Sequence, residues 1–359
     1  MVLDFAKEAI SNVSTHSINF DELRAGKANI KVIGCGGCGC NMVTWLFNKG
    51  INGAGVYGAN TDALHLSVTK ADEKILIGKE LTRGLGAGGK PRIGKEAAKE
   101  ALVDLKRAIG NADMVFVLAG LGGGTGTGAA PVVAQIAKEA GAVVIAVVTM
   151  PFESEKARID KAEFGLQELR EVSDTSIVLD NNRLVDIAGQ LPIEQAFAVA
   201  NELVSTMIKG IVETITLPSL INLDYADVST IMRNGGVAVI GIGESDATDR
   251  VQEAVRQALT HPLLDVDYSG ASGALIHITC GPDLKLEEFD VIGRAVSENL
   301  SNEAQVIIGA RISKDFIGKV RVITIMTGVK SPYVLGKEVE SHSMPMAKEI
   351  SDLGIEVWR

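Results

Sequence analysis

Hydrophobic positions along this chain fall into two patterns. The first is the short, near-continuous apolar run, at 29–33, 54–59, 74–77, 114–118, 143–148 and 176–179. Such runs are too short for helices, and they predict strands buried on both faces. The second pattern is apolar recurrence every three to four residues, which fills the gaps between the runs. It predicts helices through Phe47, from Pro91 to about Ile109, from the glycine-rich stretch after 118 to Ala140, and over 157–171. Strands alternating with helices predict an α/β fold, with a doubly wound, mostly parallel sheet covered on both sides.

The helical pattern then lengthens. From Leu191 to Thr216, Ile193, Phe197, Val204, Ile208, Ile211 and Ile215 keep the spacing without a break, and Pro218 stops it. A helix of that length spans about 35–40 Å and reads as a spine between two domains. Beyond it, strands at 237–242, 274–280, 305–310 and 320–327, with helices at 248–259 and 286–299, predict an α+β domain on a four-stranded mixed sheet. The short link between the last two strands predicts that they pair antiparallel. The expected organisation is an N-terminal extension at 1–28 with a weak helix at 5–13, a nucleotide-binding domain at 29–190, the spine at 191–216, a second domain at 217–329 and a polar tail at 330–359.

Composition narrows the function. The net charge is −10, no Lys/Arg stripe is present, and aromatics are 4%, which argues against nucleic acid. No apolar run is long enough to span a bilayer, and no basic-then-apolar leader opens the chain, so a cytoplasmic protein is expected. Cys35, Cys38 and Cys40 read Cys-x-x-Cys-x-Cys, which invites a zinc or redox site. They alternate with glycine in one turn and lack a second ligand pair, so small thiols in a tight turn account for them better.

The candidate chemistry lies in glycine loops. Gly122-Gly123-Gly124-Thr125-Gly126-Thr127-Gly128 separates a buried strand from an apolar helix. Without Cβ atoms, backbone N–H groups there can close on an anion, helped by the positive end of the following helix. Thr125 and Thr127 are candidate hydroxyl donors. Gly34-x-Gly36-x-x-Gly39 matches the dinucleotide fingerprint, and Asp62 stands where a ribose-binding acid belongs. A third loop, 84–90, begins like a P-loop, but Pro91 replaces its Mg²⁺-binding hydroxyl. One such loop suffices for NAD. Three at the carboxyl ends of parallel strands suggest a nucleoside triphosphate instead.

The segment Gly122 to Gly128 resembles the signature of the tubulin superfamily in its prokaryotic, cell-division form. Asn60-Thr61-Asp62-Ala63, the loop from Thr82 to Gly88, and Asn222-x-Asp224-x-Ala226-Asp227 resemble its other loops, and the likeness covers 29–329. The resemblance implies a GTPase that binds GTP or GDP with Mg²⁺ held through the phosphates. It implies that Gly37, Cys38, Gly39, Cys40 and Asn41 cradle the nucleotide, together with Gly86, Ala87 and Gly88. Gly123, Gly124, Thr125 and Gly126 would hold phosphates, and Glu155 and Arg158 would reach the ribose side. Asn181 and Asn201 would read guanine with Glu202 beside them and Phe197 stacked on the base. Asn222, Asp224 and Asp227 would polarise the attacking water. Cys38, Cys40, Lys90 and Glu202 depart from the residues usual in the family at those positions.

Plainer readings stand beside these. Asp224 and Asp227 suit the first turn of a helix whatever their chemistry. Phe197 suits a core, whereas Asn201 is poorly placed mid-helix unless it meets a ligand. About 15 helical residues, or about 22 Å of rise, separate Asn201 from the end of the spine. Acids beyond that end cannot reach their own nucleotide, but they can reach that of a neighbour stacked head to tail, and such a contact builds a filament. The expected function is therefore a GTP-dependent filament at the division site, with hydrolysis between subunits. The alternatives are a filament with structural GTP and weak hydrolysis, or an NAD-dependent oxidoreductase. Membrane attachment would go through an adaptor protein docked on Ile355, Val357 and Trp358 of the tail.

Overall fold

Among the described residues, ten strands hydrogen-bond into one sheet. A computed structural model describes residues 28–217, 220–221, 223–233, 235–260, 271–298, 300–301 and 303–329. The expected helix at 5–13, Pro218, Asn222 and the tail at 330–359 lie outside the described residues.

The first half runs β1 (Ile30–Cys35), α1 (Gly36–Lys49), β2 (Ala54–Asn60), α2 (Ala63–Val68), β3 (Glu73–Leu76), α3 (Lys79–Thr82), α4 (Pro91–Glu100), α5 (Leu102–Ile109), β4 (Met114–Gly120), α6 (Thr125–Glu139), β5 (Val143–Met150), α7 (Ala157–Val172) and β6 (Thr175–Asp180). The second runs α8 (Asn181–Ala188), α9 (Ile193–Thr216), α10 (Tyr225–Arg233), β7 (Gly236–Ser245), α11 (Arg250–Leu259), β8 (Gly273–Cys280), α12 (Leu286–Ser297), β9 (Gln305–Ile312) and β10 (Val320–Thr327). The strand order is β3-β2-β1-β4-β5-β6-β7-β10-β8-β9.

Strands β1 to β6 are parallel, and the winding reverses between β1 and β4. In an open α/β sheet that reversal leaves a crevice at the carboxyl ends. Here the two glycine loops that follow β1 and β4 both open into it. Strand β4 is buried from Met114 through Ala119 because helices cover both its faces. Leu105, Ala130, Val133 and Leu169 belong to the layer on one face. Met42, Val43 and Leu46 of α1, with Val204, Ile208 and Ile211 of α9, form the other. That second layer also takes in Ile240, Leu275 and Ile325, so the spine helix packs on both halves of the sheet.

The second-half sheet is four-stranded and mixed, but it is not separate. Strand β7 pairs parallel with β6 from Thr175 opposite Gly236 to Ile177 opposite Ala238, and this joins the two halves. The last two strands do not pair with each other. Strand β10 lies between β7 and β8, antiparallel to both, while β9 is the edge, parallel to β8. Their link carries a 3₁₀ turn at Lys314–Phe316 and needs to cross only one strand, about 10 Å at the usual spacing. Burial explains the choice. All of β10 except Arg321 is buried, whereas β9 is buried only at Gly309 and Ala310, and the more apolar strand takes the interior place.

Candidate functional site

The glycine loops divide by what a side chain would meet. A Cβ on Gly36 would lie 2.7 Å from the Gly126 nitrogen, and one on Gly39 would lie 2.3 Å from the Leu118 carbonyl oxygen. On Gly126 it would lie 2.6 Å from the Gly120 oxygen, and on Gly124 2.8 Å from the Ala87 Cβ and 2.9 Å from the Lys90 nitrogen. These four glycines let the loops after β1, β3 and β4 pack on one another. Gly37 and Gly123 differ. A Cβ on Gly37 would meet only His65 Nε2, at 4.0 Å, and one on Gly123 would meet nothing within 4 Å. Gly86 and Gly88 also face open space, with φ of +84° and +57° that exclude most side chains.

Hydroxyls brace this arrangement. Thr125 Oγ1 lies 2.6 Å from Thr61 Oγ1, which ties the β4 loop to the β2 loop. Thr127, expected as a ligand donor, is buried, and its oxygen accepts the Gly122 N–H at 2.9 Å, so it shapes the loop instead. The Gly86 N–H donates to the Thr61 carbonyl, which brings the third loop alongside. Cys35, Cys38 and Cys40 form no disulfide. Burial pushes the Cys40 thiol up to about 11 and also raises Cys35 and Cys38, so all three are protonated packing groups. Asn41 is exposed in the first turns of α1.

On the far side of the crevice, Glu155 accepts from the Phe152 N–H at 3.0 Å and from Arg158 at 2.5 Å, closing the turn after β5. Phe152 meets Phe197 edge-on, with centroids 6.1 Å apart at 62°. Phe197 is 39% exposed, so it is a rim residue of α9 and not part of its core stripe. Asn181 opens α8, and Asn201 lies one turn beyond Phe197 on α9. Among the described residues, neither amide has a hydrogen-bond partner. Glu202 turns the other way and accepts from Trp45 Nε1 at 2.7 Å, from Lys49 and from Thr206. Burial pushes its pKa up, but the hydrogen bonds from Lys49 and Trp45 outweigh this and hold it below the ordinary carboxylate range. Sequence reasoning missed Trp45 and Lys49, whose role depends on which face of α1 meets α9.

The acidic residues lie elsewhere. Asp224 Oδ1 accepts the Asp227 N–H at 2.8 Å and so caps α10. The Tyr225 hydroxyl donates to the Asp113 carbonyl at 2.7 Å, one residue before β4, and Arg233 donates to the Gly141 carbonyl just before β5. Helix α10 therefore lies across the amino ends of the strands whose carboxyl ends carry the glycine loops. The seven residues of β4 put about 23 Å between the two ends.

Residues 29–189 match the Tubulin/FtsZ family, GTPase domain, and residues 236–330 match the FtsZ family, C-terminal domain. The chain belongs to the Tubulin/FtsZ family. Its first half is that family's GTPase domain and binds guanine nucleotide, which removes the oxidoreductase reading of Gly34, Gly36 and Gly39. The chain is 53% identical to cell division protein FtsZ 2 of Methanocaldococcus jannaschii over 95% of its own length and 90% of the relative's. It is 52% identical to cell division protein FtsZ 1 of Archaeoglobus fulgidus, over 87% and 85%. A solved FtsZ dimer from M. jannaschii superposes with a TM-score of 0.81 at 52% identity, covering 86% of this chain and 90% of that one. CetZ1 of Haloferax volcanii, at 23% identity and a TM-score of 0.74, shares the fold.

Proposed function

We propose that this protein is a division-site GTPase that assembles head to tail and hydrolyses GTP between subunits. The observation that carries the reading is the placement of the glycine loops and the acidic helix at opposite ends of β4. A carboxylate at one end of a subunit can touch only a neighbour's nucleotide. Relatives named cell division protein FtsZ, and a solved FtsZ dimer, support the division role and self-association. Exposed leucines support it too, because Leu64 (82%) and Leu85 (86%) rim the glycine loops and Leu220 (69%) precedes the acidic helix.

In this reading the N–H groups of Gly37, Cys38, Gly39 and Cys40 with Asn41, the 86–88 loop, and Gly123 to Gly126 hold the phosphates. The open space over Gly37 and Gly123 fits a ligand there. Glu155 and Arg158 sit on the ribose side. Asn181, Phe197 and Asn201 take the base, their unpartnered amides offering both donors and acceptors, with Glu202 behind Asn201. Asp224 and Asp227, with Asn222, orient water on the neighbour's γ-phosphate. Mg²⁺, held through the phosphates, would neutralise their charge. Among the described residues no helix is long and apolar enough to cross a membrane. Attachment at the division site then falls to an adaptor on the tail, from the cytoplasmic side.

GTP turnover per subunit, measured against protein concentration, tests the reading. It should be negligible below a threshold and constant per assembled subunit above it. Turnover proportional to protein at every concentration would overturn hydrolysis between subunits.

A further inference from the structure

We propose that Trp45, Lys49 and Glu202 form a clamp that sets the rotation of α9 against α1, making Glu202 a positioning residue for guanine recognition. This rests on the nucleotide site described above. Helix α1 starts at the phosphate loop, while α9 carries Phe197 and Asn201. A single nucleotide must bridge the two, so their relative setting fixes whether base and phosphates can be held together.

Met42, Val43 and Leu46 of α1 share one apolar layer with Val204 and Ile208 of α9, and such contacts carry no hydrogen-bond direction. The polar seam beside them is directional. Trp45 Nε1–H donates to one oxygen of Glu202 at 2.7 Å, and Lys49 donates to the other oxygen and to Thr206. The Thr206 hydroxyl donates back to Glu202 at 3.2 Å. Lys209 then donates to the Lys49 carbonyl at 3.1 Å, at the negative end of α1. Trp45 and Lys49 share one stripe of α1, and Glu202, Thr206 and Lys209 share one stripe of α9.

Asn201 precedes Glu202, so its side chain points about 100° around the helix from the clamped carboxylate. Holding Glu202 on α1 therefore fixes the direction in which α9 presents Asn201. A lone exposed ion pair would contribute little. Here one carboxylate instead accepts from an indole, an ammonium and a hydroxyl at once, and bonds to a charged acceptor are the stronger kind.

The base supplies the test. Guanine differs from hypoxanthine by its 2-amino group, so the ratio of GDP to IDP affinity reads base recognition apart from phosphate binding. The parent is the Trp358→Phe protein, in which Trp45 is the one tryptophan left. Glu202→Ala should shift Trp45 emission, weaken GDP about tenfold and weaken IDP less than about twofold, so that the ratio collapses. Trp45→Phe, which removes one donor and little volume, should lower the ratio in the same direction by about threefold. Equal weakening of GDP and IDP would show a general loss of structure and overturn the proposal. So would an unchanged ratio, or unchanged Trp45 emission in Glu202→Ala. A parent that binds GDP and IDP alike would overturn base reading by α9 itself, and the clamp with it.

Discussion

Asp227→Asn separates an acid that serves its own nucleotide from one that serves a neighbour's. The side chain of Asp227 takes no part in capping α10, which is done by Asp224 Oδ1 on the Asp227 backbone N–H. The amide therefore leaves the helix start intact, whereas Asp224→Ala would also cost about 1 kcal/mol of cap. Across the length of β4, about 23 Å, two unit charges in water interact by about 0.2 kcal/mol. A Debye length of about 8 Å cuts that by more than tenfold. Even several phosphate charges together leave GTP affinity of the monomer unchanged within about 1.5-fold. Were Asp227 about 5 Å from its own γ-phosphate, the repulsion at an effective dielectric of about 20 would be about 3 kcal/mol. Neutralising it would then tighten GTP by about a hundredfold.

The assay has two halves. Binding of a fluorescent GTP analogue, below the assembly threshold, reads the subunit's own site. Turnover and sedimented polymer, above it, read the interface. Asp227→Asn should bind like the parent, sediment at least as well, and turn over about 10²- to 10⁴-fold more slowly, as expected for loss of a group that orients the attacking water. Tightening of GTP by tenfold or more in the monomer would refute the two-ended geometry, and so would parental turnover.

Other expectations follow from the same structure. Gly123→Val should abolish nucleotide binding with little change in melting temperature, because its Cβ faces open space. Gly124→Val should lose binding and also about 1–3 kcal/mol of stability, because its Cβ strikes the 87–90 loop; equal melting temperatures would refute the distinction. His277 is 3% exposed, and burial, with Arg311 and Arg321 nearby, pushes it down to about 4. The unfolded chain thus takes up a proton between pH 6.5 and 4 that the folded chain refuses. Urea unfolding should show stability falling by about 2 kcal/mol from pH 7 to 5, a drop much reduced in His277→Gln. Deleting 352–359 should leave turnover and assembly intact and abolish recruitment to adaptor-bearing membranes; loss of assembly in solution would refute the tether.

Much of this was legible because it depends on backbone pattern alone. The run at 114–118 and the glycines after it needed no tertiary knowledge, since only a buried strand followed by a loop without side chains reads that way. The unbroken stripe of α9 was legible for the same reason. What the pattern could not carry was adjacency. Nothing in 175–177 announces that it pairs with 236–238. The short link before β10 suggested a hairpin, and only comparison of burial in β9 and β10 shows why the chain steps past β8. Glycine was the harder case. The sequence shows where a Cβ is missing, but not whether backbone or empty space takes its place, so Gly36 and Gly37 read alike while doing different things.

The acidic pair shows how a plain reading and a chemical one can both hold. Asp224 spends one oxygen on the Asp227 N–H, so the capping role is real. That same bond holds both acids at the amino end of α10. Tyr225, bonded to the Asp113 carbonyl, fixes that helix end to the base of β4, and Leu223, packed against Gly309, holds the segment just before it. Asp224 is exposed and Asp227 half-buried at this end of the subunit. Acids fixed at the amino end of β4, opposite the glycine loops, suit the proposed role towards a neighbour's nucleotide. In that reading the capping geometry is the means by which the subunit would offer their oxygens to the next one.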